Sequence, residues 1–169
     1  MAKIILICGL PGSGKSTLAH ELATILKLPL FSKDRLEASV VESGLATVDN
    51  LNGVGYFLLK NLIDECEKTQ QTVIVDFVAD KNRVLQFWPS LVSKEVIPIE
   101  CVCSDTNEHR RRIETRNRNI SGWYELTWSD VELAINKYIP LFAERLTLDS
   151  LESIEFNTKL ALDYVLLRM

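Results

Sequence analysis

The stretch from Lys3 to Lys27 constrains this chain more than any other. KIILICG (3–9) is a continuous apolar run, GLPGSGKST (9–17) is a glycine-rich turn, and KSTLAHELATILK (15–27) carries Leu18, Leu22, Ile25 and Leu26 at helical spacing. An unbroken apolar run predicts a strand covered on both faces, as in a parallel sheet. Parallel neighbours need a crossover, so a strand–turn–helix unit at the start points to an α/β layout.

The alternation continues. LPLFS (28–32), TVIVDF (72–77), VIPIECVC (96–103) and the shorter RLTLD (145–149) read as four further strands, residues 50–68 as mostly helix, and NTKLALDYVLLRM (157–169) as a closing helix. Five strands alternating with helices predict an open five-stranded parallel sheet between two helical layers. The 169 residues fit one domain, 1–169, and contain no repeat, linker or low-complexity tract.

Gly9, Gly14, Lys15 and Ser16 satisfy the pattern G-x-x-x-x-G-K-[ST]. Where such a loop joins a strand to a helix, its backbone amides and the helix amino terminus form a cradle for phosphate. The expected ATP-binding set is Gly9, Pro11, Gly12, Ser13, Gly14, Lys15, Ser16 and Thr17. Lys15 would reach the β- and γ-phosphates, and the Ser16 hydroxyl would ligate Mg²⁺. The bland alternative is a turn with an exposed lysine.

Ligands of open α/β sheets gather at the carboxyl ends of the strands, and two acids stand there. Asp76 ends an apolar run and is expected near the magnesium; its alternative is an ordinary turn residue. Asp34, in SKDRLE, carries two readings: a general base or ligand for an acceptor hydroxyl, or the cap of a following helix with Glu37 reaching back.

SDTNEHRRRIETRNRN (104–119) has one apolar side chain, Ile113, and so promises little to a core. The pairs Glu108–Arg112, Arg110–Glu114 and Glu114–Arg118 at i,i+4 fit a solvated helix face. Arg116, taken as helical, has no acid at that spacing and faces a like charge at Arg112, which marks it as the arginine to close over a phosphoryl group; Arg112 is its companion at the nucleotide. His20 and His109 have no metal-spaced partners and read as surface residues. Thr127 to Asp130 looks like a helix start, and Trp123, Tyr124, Trp128 and Tyr138 read as packing or lid contacts sooner than as base-stacking platforms.

The net charge of −4 exerts no global pull toward nucleic acid or an anionic membrane. No apolar stretch approaches the roughly 18 residues of a membrane span, and the amino terminus lacks a signal-peptide layout, so the expected location is cytoplasmic. Cys8, Cys66, Cys101 and Cys103 sit in apolar patterns and read as reduced, buried thiols.

Together, GLPGSGKST, SKD, TVIVDF and RRRIETRN resemble the small P-loop kinase group that includes polynucleotide 5′-hydroxyl kinase domains, chloramphenicol phosphotransferase and AAA-type ATP-binding proteins; TWSDVELAINKY and RLTLD extend the likeness over nearly the whole chain. The resemblance implies a three-layer P-loop fold with strand order 2-3-1-4-5, and transfer of the ATP γ-phosphate to a hydroxyl with magnesium. It implies that Lys15 and Ser16 serve phosphate and metal, that Asp34 is the catalytic acid after strand two, that Asp76 ends strand three, and that Arg116 lies in a lid spanning about 104–127. Where polynucleotide kinases carry an arginine that grips substrate phosphate, this chain has Glu37. The expectation is therefore a kinase acting on a small-molecule or nucleoside-like acceptor. A polynucleotide 5′-hydroxyl kinase, or an ATP-binding or ATP-hydrolysing switch without acceptor, stays as the alternative, and the oligomeric state stays open.

Overall fold

Every residue of β1 (Ile4–Cys8) is buried, and the alternation of its side chains divides the interior in two. The computed structural model describes residues 2–117 and 123–169. Ile4, Leu6 and Cys8 face one layer and join Val73, Val75, Tyr56, Leu59, Ile63 and Trp88. Ile5 and Ile7 face the other and join Leu18, Leu22, Ile97, Ile99, Ala161 and Val165. Each fully buried side chain of this kind contributes about 1.5–3 kcal/mol, so a strand buried on both faces anchors both layers.

β1 pairs in parallel with β3 (Val73–Asp76) on one side and β4 (Val96–Val102) on the other. β2 (Leu30–Ser32) lies outside β3, and β5 (Leu146–Asp149) outside β4, which gives the order β2-β3-β1-β4-β5. The register sets Ser32 and Ile7 level with Asp76, and Val102 level with Asp149. This sheet is the expected one, strand for strand.

α1 (Lys15–Leu26) and α7 (Ile154–Leu166) cover the Ile5/Ile7 face, while α3 (Val54–Lys68) and α4 (Lys81–Phe87) cover the other. α2 (Lys33–Glu42) follows β2 directly, and α5 (Thr106–Thr115) and α6 (Trp128–Lys137) stand between β4 and β5. Side-chain caps start several of them. Asp105 accepts from the Glu108 amide, Ser153 from the Phe156 amide, and Thr127 and Asp130 form the capping box expected there. Such caps contribute about 1 kcal/mol each.

Four expectations need correction. Ser32, with extended φ and ψ, is the residue that opens α2, so Asp34 lies inside the first turn and is not its cap; Glu37 bonds Lys33 at 2.6 Å instead of reaching back. Arg116 ends α5 in an extended conformation (φ −69°, ψ 134°), so the helical like-charge pairing with Arg112 does not operate. Ile113 is buried against Trp128 and Val131. His109 is buried as well, whereas His20 is exposed as expected. Of the surface pairs, Glu108–Arg112 and Arg110–Glu114 form at 2.8 and 2.7 Å; Arg118, Asn119 and Ile120, and with them the middle of the expected lid, lie outside the described residues. Cys8 and Cys101 are buried, with thiols pushed up to about 12 chiefly by that burial, while Cys66 and Cys103 are half-buried.

Candidate active site

The turn after β1 needs glycine for steric reasons. Gly9 has φ 128°, and a Cβ there would strike the Cys101 carbonyl on the neighbouring strand. Gly14 opens α1 at φ 85°. The chain thus doubles back and enters α1 with its first amides unpaired by the helix, the arrangement suited to an anion.

Lys15, 9% exposed, folds over the loop and donates from Nζ to the Leu10 carbonyl at 2.9 Å. The Ser16 hydroxyl donates to Asp76 Oδ2 at 2.7 Å, across sixty residues of sequence. Burial pushes the Asp76 carboxyl up; Lys15 and the Ser16 hydrogen bond pull it down, and the nearby charge of Asp34 raises it again. An acid held in this way responds strongly to a cation placed beside it. The Ser13 hydroxyl is buried with no hydrogen-bond partner among the described residues.

A cleft of about 480 Å³ opens above the loop, of a size ordinary for small ligands. Gly12 to Thr17 form its floor, Arg112 and Arg116 one wall, and Ser150, just after β5, with Asn157 in the first turn of α7 the other. Arg112 bridges the two walls: it donates from Nη1 to the Ser150 hydroxyl at 2.6 Å, from Nη2 to the Ser150 carbonyl at 2.9 Å, and from Nε to Glu108 at 2.8 Å. Arg111 and Arg112 in turn hold the Glu108 carboxyl down at about 2. Gly9 to Thr17, Arg112, Arg116 and Asp76 are therefore drawn to one end of the sheet.

Beyond Asp76 lies a second polar region, built from α2, α3 and α4. Lys33 and Glu37 form their ion pair with side chains 16% and 8% exposed, and the Lys33 ammonium sits 5.0 Å from the centre of the Tyr56 ring. Gly55 permits this approach, since a Cβ there would come within 2.6 Å of Glu37 Oε1. Tyr56 stacks on Phe87 and meets Phe77 edge-on, and burial raises its hydroxyl to about 12 against the opposing charge of Arg83. Lys60, by contrast, faces outward and pairs with Asp64.

Sequence reasoning missed His109, Ser150, Asn157 and Arg83. The one legible signal was His109 and Ile113, four apart on an otherwise polar helix, which is the mark of a narrow buried stripe. Ser150 and Asn157 had none, because a cleft wall formed by the end of a strand and the start of the next helix depends on where the sheet places them.

The comparisons agree with this architecture. A family model for an AAA domain matches residues 4–130. Over 76 residues the chain is 40% identical to a shikimate kinase of Clostridium botulinum, covering 44% of each protein, so it spans under half of that relative's length in the match. It is 26% identical over 144 residues to a cytidylate kinase of Pyrobaculum arsenaticum, covering 82% of this chain and 74% of the relative. Among solved structures, a sugar kinase from Janibacter sp. HTCC2649 superposes with a TM-score of 0.69 at 17% identity, over 98% of this chain and 95% of that one. Among the described residues no helix is long and apolar enough to cross a membrane. With the family model covering three quarters of its length and the sheet order and phosphate loop in place, the chain belongs to the AAA domain family and has the P-loop kinase-like fold.

Proposed function

We propose that this protein is a kinase that moves the γ-phosphate of ATP to a hydroxyl of a small-molecule or nucleoside-like acceptor. The observation that carries the reading is the contact of Ser16 with Asp76 beneath a glycine loop whose lysine folds over it. A phosphate-binding turn alone has no use for a buried carboxylate on its serine; one held there suits a magnesium ion carried by the nucleotide.

Ser16 and Asp76 would hold Mg²⁺, and both supply the hard oxygen donors that the ion prefers. Among the described residues no three His, Cys, Asp or Glu converge on a metal site, so most of the ligands would be phosphate oxygens and water, as is usual for this ion. When bound, magnesium neutralises charge on the β- and γ-phosphates.

The chain's own groups do the rest. The Gly9–Thr17 turn wraps the phosphates, and Lys15 exchanges the Leu10 carbonyl for a phosphate oxygen. Arg112 borders the nucleotide, and Arg116, inside a lid spanning about 104–127, adds positive charge over the transferring group. Asp34, in the first turn of α2 and close enough for its charge to act on Asp76, orients the acceptor hydroxyl and takes its proton. Catalysis of this kind rests on position and charge more than on covalent chemistry. Two features disfavour a polynucleotide acceptor: the overall acidity, and Glu37, whose pairing with Lys33 leaves neither charge free for a substrate phosphate.

The test is a screen with γ-labelled ATP against sugars, polyols, nucleosides, nucleoside monophosphates, aminoglycosides and 5′-hydroxyl oligonucleotides. Label on a small hydroxyl acceptor is expected. Label only on oligonucleotides would select the polynucleotide reading, and ATP hydrolysis indifferent to every acceptor would select the switch.

A further inference from the structure

α5 is polar along most of its length, yet His109 and Ile113 are only 4% and 3% exposed. Four residues apart, they share one face, and both rest on the crown of the phosphate loop. His109 Nε2 lies 2.6 Å from the Pro11 carbonyl oxygen. A carbonyl can only accept, so the imidazole donates and carries a proton on Nε2. Gly12, at φ 79°, makes room for this contact: a Cβ there would come within 2.7 Å of Ile113 Cδ1 and 3.1 Å of His109 Cδ2. The imidazole also meets Trp128, the first residue of α6, with ring centres 5.4 Å apart and planes at 77°. Trp128, Ile113 and Val131 then close a small cluster of their own, apart from the two main cores.

This contact matters to the loop because a trans peptide is planar, with its carbonyl and its N–H pointing in opposite directions. A donor that fixes the Pro11 carbonyl thereby fixes the direction of the Gly12 N–H, and Gly12 lines the cleft. The same donor sits on α5 and touches the start of α6, so α5 rests on the loop crown and α6 packs on α5 through Trp128; these are the two helices that bracket the Arg116–Thr127 segment.

We propose that His109 is a positioning residue: its Nε2–H holds the Pro11–Gly12 peptide in the orientation that binds phosphate, and through Trp128 it ties that orientation to the helices on either side of the Arg116–Thr127 segment. The proposal rests on the reading of the loop as the ATP site.

Two substitutions separate the hydrogen bond from mere packing. His109→Gln keeps an N–H donor of similar reach, and His109→Phe keeps a ring against Gly12 and Trp128 but removes the donor. ATP dissociation constants, measured by calorimetry beside thermal midpoints, are expected to rise about 5- to 10-fold in His109→Phe and to stay within about 2-fold of the parent in His109→Gln, as the loss of one hydrogen bond implies. ATP binding by His109→Phe equal to the parent's, or by His109→Gln as weak as that of His109→Phe, would overturn the positioning role. A second measurement does not depend on either variant folding. In the parent chain labelled with fluorotryptophan, the Trp128 resonance, identified by its loss in Trp128→Phe, should shift on saturation with ATP; an unmoved resonance breaks the link to α6. A parent chain that binds no ATP at all would instead refute the nucleotide reading itself, a result distinct from either of these.

Discussion

The two ends of the candidate site are made of different material. At the phosphate end, nine consecutive residues supply the turn, the lysine and the serine, and Gly12 to Thr17 of that run line the cleft. At the second polar region, which we propose as the acceptor end because it lies beside Asp34 on α2, the polar groups come from three helices and are tied to one another: Lys33 to Glu37, Lys33 to the face of Tyr56, and Arg83 to the face of Phe87 at 5.0 Å. A phosphate chain is the same ligand in every nucleotide and can be read by amides, which every residue has. An acceptor is particular, and must be read by side chains collected from separate parts of the fold.

The largest expected effect tests whether Asp34 belongs to the chemistry of the acceptor end. Asp34→Asn should lower phosphoryl transfer by roughly 10²–10⁴-fold, the usual contribution of a positioned base, while calorimetry finds ATP affinity within a few-fold of the parent. Full retained transfer would remove Asp34 from the mechanism. Next, Lys15→Ala should lower kcat/KM for ATP by about 10²–10³-fold, the size of effect seen when a donor to developing charge is lost. Unchanged ATP binding in that variant would overturn the phosphate-loop assignment.

Glu37→Ala addresses the contrast from the side of stability. It strands the Lys33 ammonium in a mostly buried setting, and because Lys33 keeps some access to water the expected loss is about 2–3 kcal/mol, below the range for fully buried pairs. A chain of this length should then melt roughly 5–10 °C lower. The double substitution Lys33→Met with Glu37→Leu should restore much of that stability. If it also restores transfer, the pair is a packing device; if stability returns without transfer, the pair reads the acceptor.

The smallest effect concerns acid. Arg111 and Arg112 hold the Glu108 carboxyl at about 2, below its ordinary 4.5. A carboxyl depressed by folding contributes stability above its unfolded value and loses it as pH falls toward the folded one. Glu108→Gln should therefore lower the melting temperature slightly at neutral pH, converge with the parent as pH falls from about 4.5 toward 2, and so flatten the pH dependence in that window, a difference readable by calorimetry in low salt.

Much of the sheet was legible because its cause is local. IILIC (4–8) and VIV (73–75) are unbroken apolar runs, as a strand covered on both faces requires. The phosphate loop was legible for a related reason: φ values of 128° and 85° at Gly9 and Gly14 demand glycine wherever the loop is placed. Arg116 was picked out on a local argument that the geometry replaced, since it lies past the end of its helix; of the two readings of Asp34 only the cap fell, because Ser32 opens α2. His109 was misread because its partner, the Pro11 carbonyl, is 98 residues away, and neither residue type announces the other.

What the sequence determined by itself was the alternation of strand and helix, the position of the phosphate turn and the two acids that end strands or follow them, because each is dictated by backbone stereochemistry or by burial along a single element. The tertiary structure alone decided that Ser16 meets Asp76, that Arg112 bridges to Ser150, that Glu37 is neutralised by Lys33 beneath Tyr56, and that His109 rests on the loop crown. Three of these contacts join residues 38 to 98 positions apart, and in the fourth Gly55 on α3 is what lets the neighbouring helix close over a local pair. Such partners are chosen by strand order and helix packing, quantities that no short stretch of residues contains.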